Sequence, residues 1–372
     1  MRRKTAENTR DRTLHRVIET CSGDFNVFRA ALREQGLLKR EPVRVLIELG
    51  VHISVATLAL FLVLTNEHIL LRLFSMLTFS TALMGIATNT HTASHFATSK
   101  HTWRNEALTY LGYSLINGLS SNFWWEKHGI HHKHPNVIGV DDDVDLMPFF
   151  ALCEDHARHS SVWVRMYYSL QWLAFPFALG LNGVNMQLNS IRYIAKKITE
   201  GKGHRCRYSL DVFFLILHFV LWFVLPLTIF PWTHILGFYL VNRVLMGYLM
   251  FTIFGPSHLP PEAVFVGSDA RDSDHVFRQT ATTLNYRTGP LGGLVCSGLQ
   301  LQIEHHLFPW ISHTCYPRIR PYLRSFCERY GYPYREFGWA ESVWKSLRIL
   351  YRPKPVHDRW AVFGSQEHQP DA

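Results

Sequence analysis

Four apolar runs, at about residues 45–65, 69–89, 210–230 and 232–254, constrain this chain more than any other feature. Each has the ~20 residues that an α-helix needs to cross a hydrocarbon layer of ~30 Å. Only Asn66-Glu67-His68 separates the first pair, and only Pro231 the second. Such short connections make each pair a helical hairpin that returns the chain to the side it left. Backbone groups in lipid must be paired within their own segment, which favours helices. The expected architecture is an all-α integral membrane protein with four transmembrane helices in two hairpins. Residues 1–42 form a leader with ten Lys/Arg against five Asp/Glu in the first forty. The positive-inside bias places this leader, and both returning chain ends, in the cytosol. The leader lacks an apolar signal-peptide core, so the first span must also target the chain.

The net charge of +9 accompanies these spans, with only 18% charged residues. Basic loops against anionic headgroups explain the charge without nucleic acid. Six cysteines without a CxxC read as reduced thiols. Within the leader, from Arg12 to Leu38, the apolar residues Leu14, Val17, Ile18, Phe25, Val27, Phe28, Leu32, Leu37 and Leu38 suit one or two short amphipathic helices lying on the membrane surface, or the leader is simply solvated. Ala107 to Leu119 is apolar but too short to span, so a buried or re-entrant segment is expected. Trp124 and Trp125 read as interface anchors. Region 133–208 reads as cytosolic with a surface-lying helix. Its basic stretch, Lys196 to Arg207, suits headgroups, an acidic electron donor or a phosphate-bearing carrier. The membrane domain covers 43–354, and 355–372 form a disordered cytosolic tail.

Three histidine clusters follow the spans: His91-x-x-x-His95, His128-x-x-His131-His132, and Gln302-x-x-His305-His306. His258 ends the fourth apolar run. The two hairpins put all of them on one side, although 215 positions separate His91 from His306. Spacings of i, i+3 and i+4 bring side chains together on a helix. Eight imidazoles exceed what one ion takes from protein, so two metals are the economical reading. An imidazole-rich set without thiolate suits iron, copper or zinc. The acidic run Asp141-Asp142-Asp143-Val144-Asp145 can orient imidazoles through their free N–H groups. A metal transporter would instead place its metal-binding groups along the spans.

These motifs resemble the three histidine boxes of membrane fatty acid desaturases. Trp124-Trp125-Glu126-Lys127-His128 through Pro135-Asn136, with Gly139 and the acidic run, is similar to the family's second box and the stretch after it. Gly298 through Pro309 is similar to the third box of the branch with glutamine in first place, which includes front-end and many bacterial acyl desaturases. The resemblance covers about residues 45–340. It implies a cytosolic helical cap holding two non-haem iron ions, with O2 as co-substrate and two electrons from a separate donor. His91, His95, His128, His131, His132, His258, His305 and His306 would be ligands. Gln302 stands where other branches have histidine, and would bind directly or through water. Asn136, Asp141 and Asp143 would be outer partners of the ligands.

The implied reaction forms a C=C bond in an acyl chain carried on CoA, acyl carrier protein or lipid. No protein acid or base can take hydrogen from an unactivated carbon, which agrees with an oxidising metal. The same boxes serve hydroxylation, acetylenation or ketolation. Thr92 departs from the family, which commonly has an acidic residue there. No cytochrome b5 domain is fused to the chain, so a ferredoxin- or cytochrome b5-like donor is expected. A short N-terminus favours a bacterial inner membrane, or the endoplasmic reticulum if the chain is eukaryotic.

Overall fold

The computed structural model describes residues 2–158, 161–201, 205–268 and 274–357. Among the described residues, four helices are long and apolar enough to cross a membrane: Pro42–Thr65, Ile69–Ser94, Cys206–Thr228 and Trp232–His258. The first two pack along their length as one hairpin. The second and fourth helices outrun their apolar stretches. The turns from Thr88 to Ser94 are polar yet buried, because a cap covers them. Helix therefore continues through His91, and through His258 on the fourth span. The third span changes its winding. A π-turn occupies Val220–Val224 and a 3-10 turn Pro226–Thr228. Pro226 has no N–H to continue the α-ladder.

The helix Gln171–Thr199 lies against the fourth span. Gly183 and Gly247 allow that approach, since a Cβ on either would collide with a carbonyl of the other helix. Its outer face, with Leu173, Phe177 and Leu181, is exposed and apolar, as suits a helix resting on lipid. The segment 102–116 forms a short helix and then a π-helix that packs on the third span. It turns at Gly118, whose φ is +63°, and Ser120 caps the helix Ser121–Lys133 by accepting from Phe123 N at 3.0 Å.

The leader matches neither of its expected placements. Its helices, Arg2–Thr20 and Phe25–Glu34, are built into the cap. Leu14, Ile18, Phe28 and Leu32 are buried in one cluster with Ile319, Leu323 and Phe326 of the helix Tyr316–Tyr330. Phe28 stacks on Phe326 with centroids 4.6 Å apart. The amphipathic face is real, but a protein surface covers it. The same cluster contains Ile303, Leu307 and Phe308, so the leader backs the third histidine motif. At the other end, Val356–His357 pairs in parallel with Phe265–Val266, which brings two residues of the expected tail into the cap. The rest of that tail, from residue 358, lies outside the described residues.

Candidate metal centre

Two spans and two cap helices deliver the histidines. His91 sits on the last turns of the second span and His95 is its C-cap. His128, His131 and His132 share the helix Ser121–Lys133. Its N-terminus is held by Asp211, a fully buried carboxylate from the third span. Asp211 accepts from Ser114 Oγ and Ser120 Oγ at 2.5 Å, and from the Ser121 and Asn122 N–H groups at 3.1 and 3.0 Å. An anion at a helix N-terminus is stabilised by the unpaired N–H groups there. His258 ends the fourth span, and Gln302, His305 and His306 lie on the helix Gln302–Leu307.

The eight imidazoles form two groups. His91, His95, His128, His132 and His305 bring one ligand atom each within 4.8 Å of one another, and His131, His258 and His306 do the same. Helix geometry explains the division. His91/His95 and His128/His132 are i, i+4 pairs and stay together, while His131 is turned into the second group. His305 and His306 are adjacent, so they diverge by about 100° around the helix and serve one group each.

In the first group, His128 Nε2 meets Nε2 of His91 at 2.7 Å and those of His95 and His132 at 3.0 Å. His132 Nε2 meets His305 Nε2 at 3.0 Å. One ring nitrogen has either one hydrogen or one lone pair, so His128 cannot hydrogen-bond to all three. Nitrogens ~2.1 Å from a common ion and at right angles to one another stand about 3.0 Å apart. The spacing fits a donor set converging on a metal.

Three of the outward nitrogens have visible partners. His131 Nδ1 lies 2.8 Å from Asp141 Oδ2, His306 Nδ1 2.7 Å from Gln279 Oε1, and His305 Nδ1 3.2 Å from Tyr316 Oη. Each contact leaves Nε2 facing inward. Asp143 is 3.7 Å from His131 Nδ1 and pairs with Lys127. Asn136 makes no such contact with a ring. Its amide donates to the carbonyls of His258, Val264 and Thr282, and its N–H to Asp141. Lys354 is buried and donates to His258 O, Pro260 O and Ala263 O. Gln302 Nε2 lies 3.1 Å from His258 Nε2 and 3.3 Å from His306 Nε2. A half-turn of that amide presents Oε1 in the same place.

Burial, and then the neighbouring imidazoles, hold His128, His132, His305 and His306 well below the usual histidine range, and bring His95 down to about 3. These rings are neutral at pH 7, the form that binds a metal. His131 is the exception. Burial opposes its charge, but Asp141 and Asp143 outweigh burial and shift it upward.

Several supporting residues carried no sequence signal. Gln279 and Tyr316 stand in helices without metal-like spacing, and Lys354 and Asp211 act from distant segments. Glu304, inside the third motif, is fully buried. Burial raises its pKa although Tyr334 and Asn285 donate to it at 2.5 and 2.8 Å. Thr92 is joined to a carboxylate indirectly. Its Oγ1 lies 2.6 Å from His313 Nδ1, and His313 Nε2 lies 2.7 Å from Glu48 Oε2. Trp124 and Trp125 are not interface anchors. Both indoles donate to Ser94, and Trp124 stacks on His128 with centroids 4.5 Å apart. Of the basic stretch, Lys197 pairs with Glu126 at 2.9 Å and Arg207 with Glu106, while Lys202 lies outside the described residues. Those two cations pair with acids of this chain while staying at least partly exposed. A small cavity of about 50 Å³ lies between the spans, with Trp124 and Phe254 in its lining.

Comparison with known proteins agrees with this geometry. Residues 67–338 match the family model for fatty acid desaturase. The chain is 28% identical to a Delta(5) fatty acid desaturase of Caenorhabditis elegans, over 72% of this chain and 62% of the relative. It is 26% identical to human fatty acid desaturase 3, over 73% and 58%. It is 27% identical to the sn-1 linoleoyl-lipid 6-desaturase of Synechocystis, over 74% and 81%. The chain thus covers about three fifths of the first two relatives.

Proposed function

The chain belongs to the fatty acid desaturase family, and from that premise we propose that it is a membrane-bound acyl desaturase using two iron ions. The observation that carries this reading is the convergence of eight imidazoles from three boxes and His258 into two groups. The five-histidine group would hold one ion, and His131, His258 and His306 the other, with Gln302 beside it. Imidazole-rich, thiolate-free donors fit iron. Bound iron would supply the O2 activation that removes hydrogen from an unactivated carbon.

The balanced reaction takes a –CH2–CH2– unit, O2, two electrons and two protons to –CH=CH– and two waters. The protein's part is to place and to shield. Asp141, Gln279 and Tyr316 hold rings with Nε2 inward. Trp124, stacked on His128, borders a small cavity between the spans, and an acyl chain would approach the groups from that side. Burial of each methylene between the spans would favour binding by ~0.8 kcal/mol. The site would face the cytosol of a bacterial inner membrane, with electrons arriving from a separate ferredoxin- or cytochrome b5-like protein. The acyl group would be carried on CoA, acyl carrier protein or lipid.

Expression in a bacterial host, with mass spectrometry of the lipids and location of double bonds, tests the reading. A new product two hydrogens lighter is expected. A product that gains oxygen and keeps those hydrogens would make the enzyme a hydroxylase.

A further inference from the structure

Three arginines of the cap converge on one carboxylate. Glu336 Oε1 accepts from Arg287 Nη1 at 3.2 Å, and its Oε2 accepts from Arg324 Nη2 at 3.0 Å and from Arg320 Nη2. The carboxylate is the buried member, with 7% of its side chain exposed, while Arg287, Arg324 and Arg320 keep 60%, 40% and 33%. Among the described residues no other carboxylate pairs with the three. Glu262 and Glu341 both pair with Lys345, and Glu328, one turn beyond Arg324 on the helix Tyr316–Tyr330, makes no ion pair with them. One negative charge beneath three guanidiniums leaves two positive charges on the surface side. Each guanidinium has five N–H donors, so most of them stay available for a further acceptor.

The fourth span sets the level of this cluster. Tyr286, next to Arg287, donates its hydroxyl to Ile253 O at 2.8 Å. The strand Asn285–Arg287 pairs with Glu336–Gly338, and Trp339 follows at once, its indole donating to Thr252 O at 2.9 Å. Thr252 and Ile253 belong to the apolar run 232–254, and Thr252 stands about 9 Å along the helix from His258 at 1.5 Å per residue. Trp339, Trp344 of the same cap helix, and Leu291, four residues after Arg287, are all exposed. Exposed indoles at the end of a span mark the layer of lipid headgroups. The arginines therefore stand at that layer, beside apolar side chains that water does not suit.

The chemistry of the cluster selects its ligand. Guanidinium groups match the oxygens of a phosphate in pairs of parallel hydrogen bonds. A choline headgroup carries its own cation, which the two excess charges disfavour, so a headgroup of net negative charge is preferred. A phosphate on a soluble carrier offers the same oxygens, but only a lipid also brings acyl chains to Leu291 and Trp339. We propose that Arg287, Arg320 and Arg324 bind the headgroup phosphate of an anionic phospholipid in the leaflet on the metal-bearing side, with Glu336 holding the three guanidiniums together. The site uses none of the histidines and does not depend on the function proposed above.

The test is native mass spectrometry of the purified full-length protein in detergent, titrated with dioleoylphosphatidylglycerol or dioleoylphosphatidylcholine. The anionic lipid is expected to bind roughly 30-fold more tightly, the effect of two uncompensated cations beside a lipid surface. Equal binding of the two lipids by the unaltered protein overturns the proposal, and this result needs no variant to fold. Arg287→Gln, at the most exposed of the three, is expected to reduce the preference about fivefold. Lys196→Gln, at a lysine whose side chain is 74% exposed elsewhere on the protein, is expected to leave it unchanged. An equal loss in both variants would make the preference a property of diffuse surface charge and overturn the assignment, as would no loss in Arg287→Gln. Displacement of the anionic lipid by micromolar coenzyme A would assign the arginines to a soluble phosphate carrier and overturn the lipid as their ligand.

Discussion

The two histidine groups solve the same problem in different ways. The group of five is crowded, and its rings converge on one another: His128 Nε2 alone faces three others within 3.0 Å. The group of three has fewer nitrogens but a stronger frame. Asp141 holds His131, Gln279 holds His306, and Asn136 and Lys354 both grip the carbonyl of His258. Gln302 fills the place beside it with a weaker donor than imidazole. One group is thus determined by its own members and the other by its surroundings.

The largest test of this contrast is His128→Ala. It is expected to remove metal from the group of five and reduce turnover to background, while the protein still inserts; metal analysis of the purified variant and lipid profiling read the two effects. Normal metal content would break the comparison at its root. Asp141→Asn is expected to weaken metal at the group of three by about 10–100-fold, the usual cost of losing a carboxylate behind a ligating histidine. Titration of the metal-depleted protein should then show one tight and one weakened site. Equal weakening at both sites would mean that the groups are not independent. Lys354→Met should lower metal affinity at the same group by less than Asp141→Asn does, and Asn136→Ala should add little to it, since both residues grip one carbonyl. Additive losses would show that they act separately. Smallest of all, Gln302→Ala should change metal affinity by about 1 kcal/mol or less, as for one neutral hydrogen bond, whereas Gln302→His should tighten the group of three.

The hairpins and the family were legible in the sequence because length, hydropathy and i, i+4 spacing are local signals. The division into groups was also latent there, since helix geometry separates His131 from His128 and His132. The supports were not legible. Gln279 reaches His306 across 27 positions, and Lys354 reaches His258 across 96. Such hydrogen bonds have no required spacing. The leader's place is hidden for a related reason. An amphipathic face records that Leu14, Ile18, Phe28 and Leu32 avoid water, but lipid and Phe326 satisfy it equally well. Trp124 likewise has the residue type of an interface anchor, and only its contact with His128 reveals its role.

The docking of the leader sets an order of events during synthesis. Its apolar face is made first, yet the helix that covers it, Tyr316–Tyr330, is translated after all four spans. Through that interval the bilayer is the nearest apolar surface, and the leader can rest on it. When residues 316–330 emerge, the leader exchanges lipid for protein and seals the back of Ile303, Leu307 and Phe308. The third histidine motif thus gains its support only once residues 316–330 have been made. A nascent chain that stalls before Tyr316 carries His91, His258 and His306 but lacks the surface that gathers them.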